Sequence, residues 1–326
     1  MPVRFSRRAL FAVPLAAASW RPVCAPAAAE DFTGFLAAVQ RDAVAQGVRS
    51  GTVSSVLSRA EYLPHVIELD HQQPEHTMTL SGFLEKVVTP QKITDGRAEL
   101  AENQPLLTRV YQRFNVQPRF IVALWAVESN FGKVMGNYSV VSSLATLAYE
   151  GRRAAYFRPE LIAALRIIDE GNIRSDAMLG SWAGAMGQCQ FMPSTFLNYA
   201  VDFDGDGKRD IWGDRADVLG SIANYIAQLG WRGDQSWGRP VVVPANFDTR
   251  LTGLDVRRPT ADWSRMGVHP ADASPLPSGD ASLVMPDGST GPALLVNDNF
   301  RTIMKWNKST YFAAAVGMLA DGFGTG

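Results

Sequence analysis

Apolar residues recur at helical spacing through the first half of the chain. Phe32, Phe35, Leu36 and Val39 predict a helix capped near Gly47, and Leu80, Phe83, Leu84, Val87 and Val88 predict a second, stopped by Thr89-Pro90. Leu106, Leu107, Val110, Tyr111 and Phe114 predict a third. The run Phe120 to Val127 differs because it is apolar on every side, which marks a helix buried inside a domain rather than lying on its surface. It ends in Glu128, followed by Ser129, Asn130, Phe131 and Gly132. A further amphipathic helix starts near Pro159, with Leu161, Ile162, Leu165 and Ile168 on one face.

After about Gly238 the pattern changes. Eight of the 19 prolines lie between Pro240 and Pro292, which disfavours long helices. Val241 to Val243, and the runs Ala281 to Met285 and Ala293 to Val296 separated by Pro286-Asp287-Gly288, predict short strands and a hairpin in a small antiparallel unit. A last helix is expected from Lys308 to Leu319. The fold class is therefore mainly α (α+β): an N-terminal helical region over 30–115, a helical core over 116–240, and a small β unit with a C-terminal helix over 241–326.

The first 29 residues stand apart. Arg4, Arg7 and Arg8 precede the largely apolar run Ala9 to Ala18, and Ala27, Ala28 and Ala29 follow, the pattern of a cleaved secretory signal over 1–29. The string Ser6-Arg7-Arg8-Ala9-Leu10-Phe11 also resembles a twin-arginine signal, so both export routes stay open. No stretch is long and apolar enough to predict a membrane span. Removal of the signal leaves 27 basic against 32 acidic residues, a balance that asks for no nucleic-acid partner. Cys24 falls in the signal, preceded by Arg21, Pro22 and Val23 rather than the small residues of a lipid anchor. Cys189 is then alone, so no internal disulfide forms and a buried thiol is the expectation; a nucleophilic role would need a base from His65, His71, His76 or His269.

Glu128 is the most informative position. Burial and the negative end of the helix dipole both disfavour its charged form, so its pKa should rise. A carboxylic acid still protonated near neutrality can donate a proton to a leaving oxygen. The alternative is a surface glutamate one turn past the buried face. The loop Gly180 to Phe191 (GSWAGAMGQCQF) carries Ser181, Gln188 and Gln190 as neutral hydrogen-bonding groups suited to sugars, with Trp182 and Phe191 as candidate stacking faces; a purely structural turn is the competing reading.

Asp202, Asp204, Asp206 and Gly207 occupy positions one, three, five and six of an EF-hand loop spanning 202–214, between helical patterns at Pro193 to Ala200 and Ala216 to Leu229. Lys208 would contribute its backbone carbonyl. Position twelve is Gly213, so Asp214 or Asp217 would have to supply the last acid through a lengthened loop. Calcium in a structural role is the expected ion; the alternative is an Asp-Gly turn held by its own hydrogen bonds. Zinc is disfavoured by the lack of HExxH or Cys/His pairs, and no GxSxG elbow or P-loop occurs.

The strings AVESNFG (Ala126 to Gly132) and GSWAGAMGQCQFMPS (Gly180 to Ser194) resemble the membrane-bound lytic transglycosylase B family, glycoside hydrolase family 103. Ser143 to Ala148, Gly151 to Phe157, Ala223-Asn224-Tyr225, Gly230-Trp231 and Lys305 to Thr310 extend the likeness over Asp70 to Leu319. The resemblance implies a lysozyme-like helical core. It also implies an enzyme, without catalytic cofactor, that cleaves the N-acetylmuramic acid to N-acetylglucosamine bond of peptidoglycan without water, leaving 1,6-anhydro ends. By it Glu128 is the single acid and base, and Ser181, Gln190, Tyr156, Tyr225 and Asn307 line the glycan groove. A lone acid suffices because the nucleophile is the substrate's own C6 hydroxyl. The expected partner is the glycan strand, met by a monomer exported to the periplasm of a Gram-negative-type bacterium. A hydrolytic muramidase of the goose-lysozyme kind and an inactive peptidoglycan-binding protein are the other readings.

Overall fold

The computed structural model describes residues 31–72, 78–272 and 274–324. The expected signal, Cys24 and His76 lie outside the described residues. The chain opens with helices α1 (Phe32–Ala45), α2 (Ser50–Leu57), α3 (Pro64–His71), α4 (Leu80–Val87), α5 (Pro90–Glu102) and α6 (Gln104–Phe114). Asp31 caps α1 by accepting from the Gly34 N–H at 2.7 Å, and Gly47 follows the helix at φ +90°, where a side chain would be strained. Thr89-Pro90 stops α4 as expected, and the same two residues begin α5: Thr89 accepts from the Lys92 N–H at 3.1 Å while Pro90 fills the first turn. Helix α5 shows no apolar periodicity in the sequence because Gly96 is its only buried residue.

Helix α7 (Pro118–Ser129) is the axis of the molecule. Every side chain from Phe120 to Ala126 is fully buried, as an all-apolar segment demands. Around it pack α5, α6, α11 (Arg215–Gln228) and α14 (Thr310–Phe323). A short ladder joins β1 (Tyr138–Ser139) to β2 (Leu179–Gly180), with Tyr138 opposite Gly180, bringing the glycine-rich loop against the segment that follows α7. Between these strands α8 (Val140–Glu150) and α9 (Ala154–Asp169) pack on each other. Helix α9 begins five residues before Pro159, which sits inside it. The short α10 (Pro193–Tyr199) then leads into the aspartate-rich loop.

The C-terminal part contains β3 (Gly238–Val242), β4 (Arg258–Pro259), α12 (Thr260–Arg265), β5 (His269–Pro270), β6 (Asp280–Val284) and β7 (Ala293–Val296). The antiparallel sheet runs in the order β4-β6-β7-β3-β5. Val284, Leu294 and Val296 face the main helical core, while Leu283, Leu295 and Val241 face a small second core around the fully buried Trp263. Burial on both faces explains why these strands read as continuous apolar runs instead of alternating ones. Helix α13 (Asp298–Trp306) follows, an element the sequence pattern does not predict because only Asn299, Phe300, Thr302 and Ile303 are buried in it. Ser309 then caps α14, which runs to Phe323 rather than ending at Leu319. Among the described residues no helix is long and apolar enough to cross a membrane.

Candidate active site

Glu128 occupies the last turn of α7, and the chain turns sharply after it: Asn130 and Phe131 have φ of 51° and 60°, and Gly132 follows at +79°. A side chain at Gly132 would fall on the amide of Gln188. Ser129 Oγ donates to the Gln188 carbonyl at 2.7 Å and accepts from the Gly132 N–H at 3.0 Å, locking this turn to the glycine-rich loop. Gln188 is the hub of that loop. Its Oε1 accepts from Trp125 Nε1 at 3.0 Å, its Nε2 donates to the Trp212 carbonyl at 2.8 Å, and its backbone N–H donates to the Ile211 carbonyl at 2.8 Å. Helix α7, the loop and the end of the aspartate-rich segment are thereby one hydrogen-bonded unit.

Glu128 is a half-buried residue, and Trp306 Nε1 donates to its Oε1 at 2.6 Å. Loss of water contacts pushes its pKa up to about 8, against the opposing effect of the Trp306 hydrogen bond, which favours the anion. An aromatic wall continues from this pair. Trp306 packs on Tyr225 with ring centroids 4.7 Å apart, Tyr225 stacks on Tyr199 at 4.3 Å, and Phe191 contacts Trp306 at 5.4 Å and Tyr225 at 5.3 Å. Tyr225 is raised above its ordinary value, first by burial, and feels the charges of both Glu128 and Tyr156.

The residues expected to line the groove are placed as follows. Tyr156 is exposed near the start of α9, beneath the Arg153 guanidinium at 5.2 Å from its ring centroid. Asn307 is exposed next to Trp306. Ser181 is half-buried and its Oγ accepts from the Ala185 N–H at 3.0 Å, shaping its own turn. Gln190 has φ +49°, and its Nε2 donates to the Gly187 and Met135 carbonyls at 2.9 and 3.1 Å, so its amide nitrogen is committed to the fold. Phe191, expected as a sugar-stacking face, is instead buried at 1% exposure, because a large ring between Tyr225 and Trp306 fills core space. Trp182 is half-buried. Cys189 is fully buried with Sγ against the Val218 carbonyl at 3.5 Å, and burial pushes its thiol well above the ordinary range, so it is no nucleophile. The partner of Glu128 escapes sequence reasoning: Trp306 lies inside the Lys305 to Thr310 string, 178 positions downstream, and nothing local marks it.

The aspartate-rich loop gathers Asp202, Asp204 and Asp217, whose carboxylate oxygens come within 4.8 Å of one another. Asp217 rather than the expected Asp214 joins this trio: Asp214 Oδ1 caps α11 by accepting from the Ala216 and Asp217 N–H groups at 2.7 and 3.0 Å. Asp206 Oδ1 accepts from the Lys208 N–H at 2.8 Å and lies outside the trio. Asp202 accepts from the N–H groups of Gly205, Asp206 and Gly207, which hold its carboxyl below the ordinary range. Asp217 is 1% exposed, and burial, followed by the neighbouring Asp214 and Asp204 charges, lifts it to about 6 against its hydrogen bonds from Phe203 and Asp210. Three convergent carboxylates are a hard oxygen donor set that suits calcium.

A buried apolar helix thus ends in one sheltered glutamate, held by an indole beside a cluster of packed aromatic rings. The chain belongs to the transglycosylase SLT domain family, whose pattern matches residues 31–321. It is 34% identical over 292 residues to the membrane-bound lytic murein transglycosylase B of Escherichia coli K12, covering 82% of this chain and 76% of that protein. SltB3 of Pseudomonas aeruginosa in complex with NAG-anhNAM-pentapeptide superposes with a TM-score of 0.87 at 46% identity, over 91% of this chain and 80% of that one. Escherichia coli Slt35 in complex with calcium gives 0.75 at 30% identity, over 89% and 92%. The helical core is accordingly of the lysozyme-like lytic transglycosylase kind.

Proposed function

We propose that this lytic murein transglycosylase uses Glu128 first as acid and then as base to cleave the N-acetylmuramic acid to N-acetylglucosamine bond. The observation that carries the assignment is the carboxyl at the end of the buried helix, held by the Trp306 indole beside the aromatic cluster, where burial pushes its pKa up to about 8. At neutral pH the acid is protonated. It transfers its proton to the bridging oxygen as the C1–O bond breaks, releasing the N-acetylglucosamine 4-hydroxyl. The resulting carboxylate takes the proton of the C6 hydroxyl while O6 bonds to C1, closing the 1,6-anhydro ring and restoring the acid. Proton and bond counts balance without water.

Tyr225, Tyr156 and Asn307 supply the accessible polar and stacking surface along the strand, and Ser181 and Gln190 shape the loop that approaches it. SltB3 was crystallised with NAG-anhNAM-pentapeptide and with NAG-NAM-pentapeptide, which supports peptidoglycan strands as the substrate here. The same reading makes Asp202, Asp204 and Asp217 a structural calcium site, supported by their convergence and by the calcium complex of Slt35. Bound calcium would offset two of the three negative charges and brace the loop that Gln188 ties to α7. The leader-like pattern over 1–29 supports export to the periplasm, where this substrate lies. Mass spectrometry of products from purified murein tests the reading: muropeptides one water lighter than the hydrolytic equivalents are expected, and reducing muramic acid ends as the main product overturn it.

A further inference from the structure

Trp306 meets Glu128 in a way that the acid–base cycle alone does not require. Its Nε1 lies 2.6 Å from Oε1 of Glu128, and an indole nitrogen is a donor with no lone pair to offer. Were the carboxyl proton on Oε1, the indole would meet a hydroxyl oxygen, a much weaker acceptor than a carbonyl oxygen, at that short distance. The hydrogen bond therefore favours one form of the neutral acid, with Oε1 as carbonyl acceptor and the proton on Oε2. The indole is not free to turn away, because its ring is packed against Tyr225 at 4.7 Å and Phe191 at 5.4 Å.

We propose that Trp306 is a positioning residue that assigns the two oxygens of Glu128 their tasks: Oε1 is held by the indole, and Oε2 alone exchanges the proton with the glycan. The assignment rests on the reading of Glu128 as acid then base. Two consequences follow for the reaction. The acid is presented in a single orientation, so no rotation of the carboxyl precedes proton transfer. When the proton leaves, the hydrogen bond becomes charge-assisted and strengthens as negative charge develops, a donor aimed in advance at the transition state. Trp306 exchanges no proton itself.

The effect on pH dependence has a sign that separates this role from packing. The hydrogen bond favours the anion, so its loss raises the Glu128 pKa further, whereas loosened packing that admits water lowers it toward the ordinary carboxylate range. Among the described residues, Cys189 from the glycine-rich loop and Tyr225 from α11 feel the charge of Glu128, and both are pushed above their ordinary values and neutral through the working range. Lys305, beside Trp306 in α13, is turned away and donates to the Leu229 carbonyl at 2.6 Å. A basic limb near pH 8 thus reports Glu128.

The test is the pH profile of murein cleavage by Trp306→Phe and by the full-length protein carrying benzothienylalanine at 306, an isostere in which sulfur replaces the indole N–H while the ring packing is kept. Both should lower kcat roughly ten- to hundredfold, the scale of one lost hydrogen bond to a charged group, with a smaller change in KM, and both should move the basic limb to higher pH. An unchanged kcat and limb for the isostere, or a limb moved to lower pH, overturns the proposal. Glu128→Gln is run beside them: if it is inert and the isostere behaves as wild type, only the role of Trp306 fails, whereas an active Glu128→Gln overturns the reading of Glu128 itself.

Discussion

The indole of Trp125, in the middle of the buried helix, donates to Oε1 of Gln188 at 3.0 Å and so joins the element that carries Glu128 to the loop beside it. Gln188→Ala removes this bond and the one to the Trp212 carbonyl at 2.8 Å, and leaves the fully buried Trp125 N–H without its partner. A buried donor left unsatisfied costs roughly 1–3 kcal/mol. Urea denaturation should show a loss of that order, together with weaker murein binding as the loop loosens; an unchanged midpoint would show that water or a neighbour replaces the amide.

Glu128→Gln should reduce murein cleavage by at least about a hundredfold, since an amide keeps the shape and the acceptor for Trp306 but cannot transfer the proton. Near-wild-type turnover by the folded variant would contradict the assignment.

The same substitution has a consequence for stability. The folded pKa of Glu128 is raised to about 8 from an ordinary 4.5. The folded state therefore holds this proton more tightly than the unfolded chain does, and the contribution is fully present below pH 4.5 and lost as pH rises through about 8. Glu128→Gln has no such loss. Thermal melts should show the variant gaining on wild type steadily between these limits, and a constant difference across that range would mean that the carboxyl is not sheltered.

Calcium should raise the melting temperature, and Asp202→Ala with Asp217→Ala should remove the response. Binding to the folded state alone contributes about 2.7 kcal/mol at a hundred times the dissociation constant. Because Asp217 must ionise from a pKa of about 6, affinity should weaken as pH falls through that value. Asp214→Ala, which removes a helix cap at the end of the loop, should lower stability with or without calcium. An unchanged melt in millimolar calcium would reduce the three acids to a turn.

Gly317→Ala offers a check on the packing of α14. Alanine is ordinarily the better helix former, but a Cβ here would overlap the ring of Trp237, which is fully buried and pinned by its Nε1 donating to Asp321 at 2.8 Å. Overpacking of this kind costs roughly 1–3 kcal/mol, so the variant should be less stable despite its higher helix propensity.

Much of the architecture is legible in the order of residues along the chain. An apolar run without a polar face can only be a buried helix, and a carboxylate at its end meets desolvation wherever the chain folds around it; both readings hold for α7 and Glu128. The runs Ala281 to Met285 and Ala293 to Val296 signal strands because their sheet is covered on both faces. The Asp-x-Asp-x-Asp-Gly spacing signals a tight acidic turn, since those side chains bond to N–H groups only a few residues away.

Relationships between residues distant along the chain are not legible in this way. The spacing favours Asp214, with Asp217 as the alternative, and the start of α11 separates them: Asp214 is consumed as its cap while Asp217, one turn in, comes within reach of Asp202. Phe191 has the composition of a sugar platform, yet it fills the space between two rings brought by α11 and α13. Helix α13 gives no clear pattern because its short buried stripe gains its meaning only against the rest of the core. Local periodicity, burial and turn chemistry are properties of neighbouring residues, and they suffice for the buried helix, the acid at its end and the aspartate turn. The partner of that acid is an indole 178 positions away, and which group touches Glu128, and on which oxygen, is set only when the chain closes so that α13 meets α7.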